Sequence, residues 1–364
     1  MKGISVYPNK TKVDDCLEYI DRAAQLGYQR LFTSLLELND DKETVLQKFK
    51  TVLSYAHEKG MWVSLDVNPG LFTNLNISYN DLSFFKKLGA DIVRLDSNFD
   101  GMPESIMTYN SENLTIEVNI SNDTGNIANI LTYRPLKDKI IGCHNFYPQR
   151  YTGLDTDYFL KTTRKYHDLG LRTAAFISSN HGAIGPHPYN AGLPTLEIHR
   201  GLPLEKQAQY LINTQLIDDI IIGNAFASDD ELVKVANLEA KIPQFFVKFA
   251  PNATALEKEI VLANLHFNRG DINSYAIRST FVKLKYNKRD IPVNNPVNTL
   301  TRGMITIGNN DFDQYKGELN IVKQDMDNHD HRKNVVAQIV PSDLQFIAFI
   351  QPWDKFKFID VDNY

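Results

Sequence analysis

The residues of this chain that could do chemistry are polar side chains closing otherwise apolar runs: Glu37, Asp66, Asn68, Arg94, Asp96, Glu117, Asn119, His144, Asn145 and Asn224. A carboxylate buried on apolar ground loses its solvation, so it must be paired or have its pKa raised, and a raised pKa is how a general acid is made. Two such carboxyls flanking one bond are what glycoside hydrolysis requires. Alternation in Leu65-Asp66-Val67, Arg94-Leu95-Asp96 and Glu117-Val118-Asn119 sends the polar members to one face. Asp66 and Glu117 are the expected catalytic pair, with Asp96 in reserve, and Arg94 is the one strand-borne cation expected beside them. The plain alternative is a structural ion-pair network of Arg94 with Asp96 or Glu117. Glu37 reads equally well as a solvated acid at a helix start.

The elements that must position these groups follow one repeated unit. Gly27, Gly60, Gly89 and Gly170 each close an amphipathic helix, and an apolar strand follows within about three residues. The expected strands are Gly3 to Pro8, Arg30 to Glu37, Trp62 to Asn68, Ile92 to Asp96, Thr115 to Ser121, Ile140 to Tyr147, Arg172 to Ser179 and Asp219 to Asn224. Eight alternations of strand and helix predict an α/β fold, a (β/α)8 TIM barrel, over residues 1–240, with its site at the carboxyl ends of the strands. The rival, a doubly wound open sheet, lacks its G-x-G-x-x-G; Val6-Tyr7-Pro8-Asn9-Lys10 stands there instead.

Near Lys241-Ile242-Pro243 the pattern changes to short strands, which predicts a second, small β domain over 241–364. Its expected strands are Phe245 to Phe249, Tyr275 to Lys285, Gly303 to Ile307, Gly317 to Val322, Asn334 to Val340 and Gln345 to Ile350, with one helix, Ala253 to Asn264. Arg269, Arg278 and Arg302 beside small residues suit an anion there.

Bulk properties exclude several function classes. A formal charge of -5 and a pI near 6.0 over 364 residues argue against a nucleic-acid partner. The chain enters a strand at once, with no signal peptide and no apolar run long enough to span a bilayer, so a cytoplasmic protein without a membrane partner is expected. Cys16 and Cys143 suggest neither a disulfide nor a metal site, and His181 and His187 lack ligand spacing, so no metal or cofactor is expected. The loop His144 to Leu154, with Tyr147, mixes aromatics and amides as carbohydrate sites do. Two other functions fit a barrel of this kind: a phosphosugar lyase or aldolase, which would want a Schiff-base lysine absent from these strand ends, and a non-enzymatic sugar-phosphate binder. Oligomeric state is left open.

Taken together, Ser64-Leu65-Asp66-Val67-Asn68-Pro69, Arg94-Leu95-Asp96, Ile116-Glu117-Val118-Asn119, Ile141 to Pro148, Thr195-Leu196-Glu197-Ile198-His199-Arg200 and Ile220 to Ala225 resemble the MupG family of 6-phospho-N-acetylmuramidases. Ile277-Arg278-Ser279, Arg302-Gly303 and Tyr315 to Leu319 are similar too, so the resemblance spans nearly the whole chain. Ile198 stands where the family pattern has a second acid, and Ala337 where it has glycine. The resemblance implies a TIM barrel followed by a cyclophilin-like β-barrel domain. It also implies cleavage of the β-1,4 bond of N-acetylmuramic acid 6-phosphate-N-acetylglucosamine in peptidoglycan recycling. The substrate-binding residues would then be Glu37, Arg94, Asn119, His144, Asn145, Tyr147 and Asn224, with Arg278 or Arg302 reaching over the barrel mouth to the phosphate.

Overall fold

The computed structural model describes residues 1–36, 42–239, 241–294 and 296–363. The chain forms two compact units, Met1–Ala240 and Lys241–Tyr364. In the first, strands β1 (Lys2–Ser5), β2 (Arg30–Ser34), β3 (Trp62–Val67), β4 (Ile92–Leu95), β5 (Thr115–Asn119), β6 (Ile140–Cys143), β7 (Arg172–Ile177) and β8 (Asp219–Ile222) close a parallel barrel in sequence order. Helices α1 (Val13–Gln25), α2 (Lys42–Glu58), α3 (Pro69–Asn74), α4 (Ser83–Leu88), α5 (Met102–Met107), α6 (Asn126–Thr132), α7 (Thr156–His167), α8 (Leu204–Thr214) and α9 (Asp229–Asn237) lie between them. Local signals set the boundaries. Asp155 caps α7 by accepting from the Asp157 and Tyr158 amides, and Ser228 with Glu231 forms a capping box on α9. Gly89 ends α4 with φ of 104°, a left-handed turn that few other residues tolerate.

Register decides which side chains meet. Ser34 pairs with Asp66, Asp66 with Arg94, Arg94 with Glu117 and Glu117 with Ile141, while Asn119 pairs with Cys143. Partners in one row share a face, so Asp66, Arg94 and Glu117 point into the barrel, and the fully buried Leu65, Val93, Leu95 and Val118 point toward the helices.

The second unit holds β9 (Gln244–Phe249), α10 (Ala255–Leu262), β10 (His266–Phe267), β11 (Ala276–Ser279), α11 (Lys283–Tyr286), β12 (Thr299–Leu300), β13 (Met304–Gly308), β14 (Leu319–Val322), β15 (Met326–Asp327), β16 (Lys333–Ile339) and β17 (Lys355–Asp360). Seven of these strands form a barrel-like sheet in the order β10-β17-β9-β16-β13-β14-β11, and β12 pairs with β15. Two expectations are corrected here. The run Tyr275 to Lys285 is strand only over β11 and then turns into a 3-10 segment, Thr280–Val282, and α11. Gln345 to Ile350 lies mostly in a 3-10 segment, Pro341–Phe349, where the buried Asp343 carboxylate accepts from the Phe246 amide at 2.9 Å.

Candidate active site

Two ionic layers occupy the barrel interior. The inner one is built on residues that open their strands: Arg30, Arg172 and Asp219. Arg30 donates to Asp219 at 2.7 Å, to Ser64 at 2.8 Å and to Glu117, while Ser64 donates to Glu117 at 3.1 Å. Arg172 makes a two-pronged contact with Asp219, 2.8 and 2.5 Å. Burial pushes the Asp219 carboxyl up, but the Arg30 and Arg172 charges outweigh it and hold the group well below the usual carboxylate range. Glu117 is 0% exposed, and both its oxygens are engaged. The expectation that Arg94 is the sole cation near Glu117 is therefore wrong. Arg30, three strands away in sequence order, is its ion-pair partner.

Above this layer, two residues further along their strands, lie Phe32, Ala174 and Ile221, part of an apolar cluster completed by Tyr7, Cys143, Phe176 and Ala225. Phe32 packs edge-on to Phe176 at 5.0 Å between ring centres. Such packing keeps water from the inner layer.

The second layer sits at the carboxyl end. Arg94 is its hub, with its guanidinium 6.0 Å from the Phe32 ring centre. One nitrogen, Nη1, donates to Asp66 and, at 3.3 Å, to Asp96; the other, Nη2, donates to the Asn145 side-chain oxygen. The two carboxyls differ in environment. Asp66 is 1% exposed, and its second oxygen, Oδ2, is buried without a well-formed hydrogen bond. Burial raises its pKa to about 6, against the lowering charge of Arg94. The Asp96 side chain is 38% exposed. Asn145 is fixed in turn, because its amide donates to Ser121 Oγ at 2.7 Å and its carbonyl accepts from Thr195 at 2.9 Å.

The remaining expected barrel residues fall into four groups. Asn119 braces the layer by donating to the Asp96 carbonyl at 2.7 Å, and Tyr147, half-buried, lies in the loop after β6. Asn68 caps α3 by accepting from the Leu71 amide. His144 and Asn224 are fully buried among protein partners. The two His144 ring nitrogens lie 3.3 Å from Ser121 Oγ and 2.8 Å from Thr163 Oγ1, and burial lowers its pKa to about 3. Asn224 binds the backbone of Ser179 and Gly182. Glu37 lies outside the described residues.

A cleft of about 700 Å3 opens at the same end of the barrel between the loops after β6 and β7. Tyr151 stands on its rim, 89% exposed, with φ of 66°. Glu197 holds that turn by accepting from the Tyr151 and Gly153 amides, both at 2.8 Å, and its pKa falls to about 2 because Arg200 donates to it. In the second unit, Arg278 forms a bidentate pair with Glu318 at 2.8 and 3.1 Å, and Arg302 donates to the Leu344 carbonyl at 3.2 Å. Among the described residues no group of three or more His, Cys, Asp or Glu side chains is placed to hold a metal ion, and no helix is long and apolar enough to cross a membrane.

Comparison with known proteins agrees with this fold. A crystal structure of an uncharacterized B. cereus protein is 44% identical, covering 98% of this chain and 99% of that one, with a TM-score of 0.87. A conserved Enterococcus faecalis protein of unknown function, 23% identical over 99% of this chain and 96% of its own, shares the fold with a TM-score of 0.65. No match was found among curated proteins. Family models for the N-terminal and C-terminal parts of 6-phospho-N-acetylmuramidase match residues 2–237 and 243–359, so the chain belongs to the 6-phospho-N-acetylmuramidase family and is a glycosidase.

Proposed function

We propose that the mouth layer hydrolyses the β-1,4 bond between N-acetylmuramic acid 6-phosphate and N-acetylglucosamine. One observation carries the assignment of roles: a single guanidinium nitrogen holds two carboxyls of unequal burial, Asp66 and Asp96. Asp66, with its pKa near 6, is the proton donor to the glycosidic oxygen, which leaves as the 4-hydroxyl of N-acetylglucosamine. The more exposed Asp96 faces the anomeric carbon, either as nucleophile or by orienting the substrate's own 2-acetamido group. Two hydrogen bonds of about 3 Å each to one nitrogen cap the distance between the bonded oxygens at about 6 Å. That favours the short spacing of retaining glycosidases, about 5 to 5.5 Å, over the 6.5 to 9.5 Å that leaves room for an attacking water. Glu117 leaves the catalytic pair in this reading, because its oxygens are bound to Arg30 and Ser64.

Arg94, Asn119, Asn145 and Tyr147 are proposed to bind or orient the sugar, and His144 and Asn224 to shape the loops behind it. Arg278 and Arg302 are the candidate phosphate ligands, since a dianion leaves water only for charge-assisted hydrogen bonds. A phosphate monoester carries a charge of about −1.5 to −2 at neutral pH, which membranes retain. This supports a cytoplasmic reaction within peptidoglycan recycling. The cyclophilin-like reading of the second unit rests on the family resemblance. The test is incubation with the phosphorylated disaccharide: release of N-acetylglucosamine is expected, much faster than from the unphosphorylated one. Tight binding without release would make the protein a sugar-phosphate binder instead.

A further inference from the structure

We propose that Tyr151 is a specificity-determining residue for the leaving sugar, seated in the cleft between the loops after β6 and β7, and that Glu197 and Arg200 are the positioning residues that hold its ring there. This rests on the glycosidase reading above and deepens it by naming where the neutral half of the disaccharide lies. Tyr151 is built into its exposed place. A φ of 66° is rarely adopted by an aromatic residue and persists only where the surroundings enforce it. Both Glu197 oxygens supply that enforcement, one through the Tyr151 amide and one through the Gly153 amide. A Cβ on Gly153 would stand 2.7 Å from the Glu197 amide nitrogen and from Oε2, so glycine is what lets the carboxylate close on the turn.

Arg200 fixes that carboxylate and the loops on either side of it together. Its Nε and Nη2 donate to Glu197 at 2.7 and 2.8 Å. Nη2 also donates to the Tyr147 and Gln149 carbonyls at 3.0 and 3.1 Å, and Nη1 to the Ala191 and Gly192 carbonyls at 2.9 and 3.2 Å. Every N–H of the guanidinium is spent on protein, so Arg200 acts by holding the rim and not by touching a ligand. Tyr147 stands two residues past Asn145, whose side chain takes a bond from Arg94, so one braced loop carries both the mouth layer and the rim. Charge decides which sugar fits the cleft. His181 lies 3.3 Å from Glu231 and Arg200 pairs with Glu197, which leaves the exposed Arg150 as the one charged lining residue without an ionic partner among the described residues. The muramic half carries a phosphate of about −1.5 to −2 and a lactyl carboxylate, more than one solvated guanidinium balances. N-acetylglucosamine is uncharged and needs an aromatic face for its C–H side and amides for its hydroxyls. Tyr151 supplies the face, and Asn180, whose Nδ2 donates to the Leu202 carbonyl at 3.0 Å, supplies an amide oxygen.

The experiment is steady-state kinetics of the full chain on the phosphorylated disaccharide and on the 1-fluoride of the same muramic sugar phosphate, whose leaving group is too small to fill the cleft. Tyr151→Ala should raise KM for the disaccharide roughly five- to tenfold with kcat little changed, and should change kcat/KM for the fluoride by less than about twofold. Tyr151→Phe, which keeps the ring, should restore the parent KM. Glu197→Gln should reproduce the KM rise, and the double variant should add little to it, because both act through one ring. An unchanged KM in Tyr151→Ala, or equal losses on disaccharide and fluoride, overturns the proposal. A Glu197→Gln effect that adds in full to that of Tyr151→Ala removes the positioning role. Binding of N-acetylglucosamine, followed by ligand-observed NMR, separates this from the glycosidase reading. Binding that Tyr151→Ala abolishes, in a protein that releases no sugar, leaves the cleft standing and removes the hydrolase. Sugar release with N-acetylglucosamine binding insensitive to Tyr151→Ala does the reverse.

Discussion

The two ionic layers of the barrel use the same residue types and differ in what surrounds them. In the inner layer two arginines face two carboxylates, with strong pairing to both oxygens of Glu117 and of Asp219. In the mouth layer one arginine faces two carboxylates, and one of those carboxylates keeps an unmatched oxygen. Pairing of every carboxylate oxygen makes the first layer a structural brace. Charge deficit leaves the second with an acid whose proton is available near neutral pH, which is the condition for general acid catalysis.

Breaking the inner layer should cost the most stability. Glu117→Ala leaves Arg30 short of a partner in a water-free setting and is expected to destabilise the fold by about 3 to 5 kcal/mol, read from denaturant unfolding at pH 7. The pH dependence of the layers should have opposite signs. The folded pKa of Asp219 is depressed, so its stabilisation is present above the unfolded value of about 4 and is lost as pH falls below it. The folded pKa of Asp66 is raised to about 6, so its contribution favours the fold below about pH 4 and is lost as pH rises through 6. Thermal melts of Asp219→Asn should therefore lose the acid-side decline, whereas Asp66→Asn should hold its stability better than the parent from pH 5 to 8. Replacing Arg94 by Met removes the charge that lowers the Asp66 pKa, so the alkaline limb of kcat/KM should move up by about 1 to 3 units in whatever activity survives. The smallest effect is expected from Asn145→Ala, which frees one hydrogen bond to Arg94. About 1.5 to 3 kcal/mol for a bond to a charged group corresponds to a loss of roughly 10- to 150-fold in kcat, with KM little changed.

How much of this was legible in the sequence follows from side-chain parity. The alternation that put Asp66, Arg94 and Glu117 in the barrel applies equally to β6, where Cys143 faces inward beside Asn119. His144, one residue on, must then face α7, where it meets Thr163 and packs on Phe159, and Asn145 must face inward again. Parity likewise turns Asn224 away from the interior row of Ile221 and Gly223. Both histidine and asparagine were expected at the mouth because they stood near strand ends, and parity corrects them. Arg30 is a different case. Its partner Glu117 lies three strands away in the barrel, so no local pattern pairs them; only closure of the sheet does. In the second unit the run Gln345 to Ile350 is apolar enough for a strand, but Pro341 and the Asp343 contact to Phe246 set a 3-10 path, and short apolar runs do not distinguish the two.

The most direct test is turnover of the phosphorylated disaccharide by Asp66→Asn and Glu117→Gln, compared at equal folded fraction. Loss of the acid in the mouth layer should lower kcat by about 10²- to 10⁴-fold, while the inner-layer variant, once folded, should stay within roughly tenfold of the parent. A Glu117→Gln protein that folds normally and is inactive, beside an active Asp66→Asn, would contradict the division of roles between the two layers.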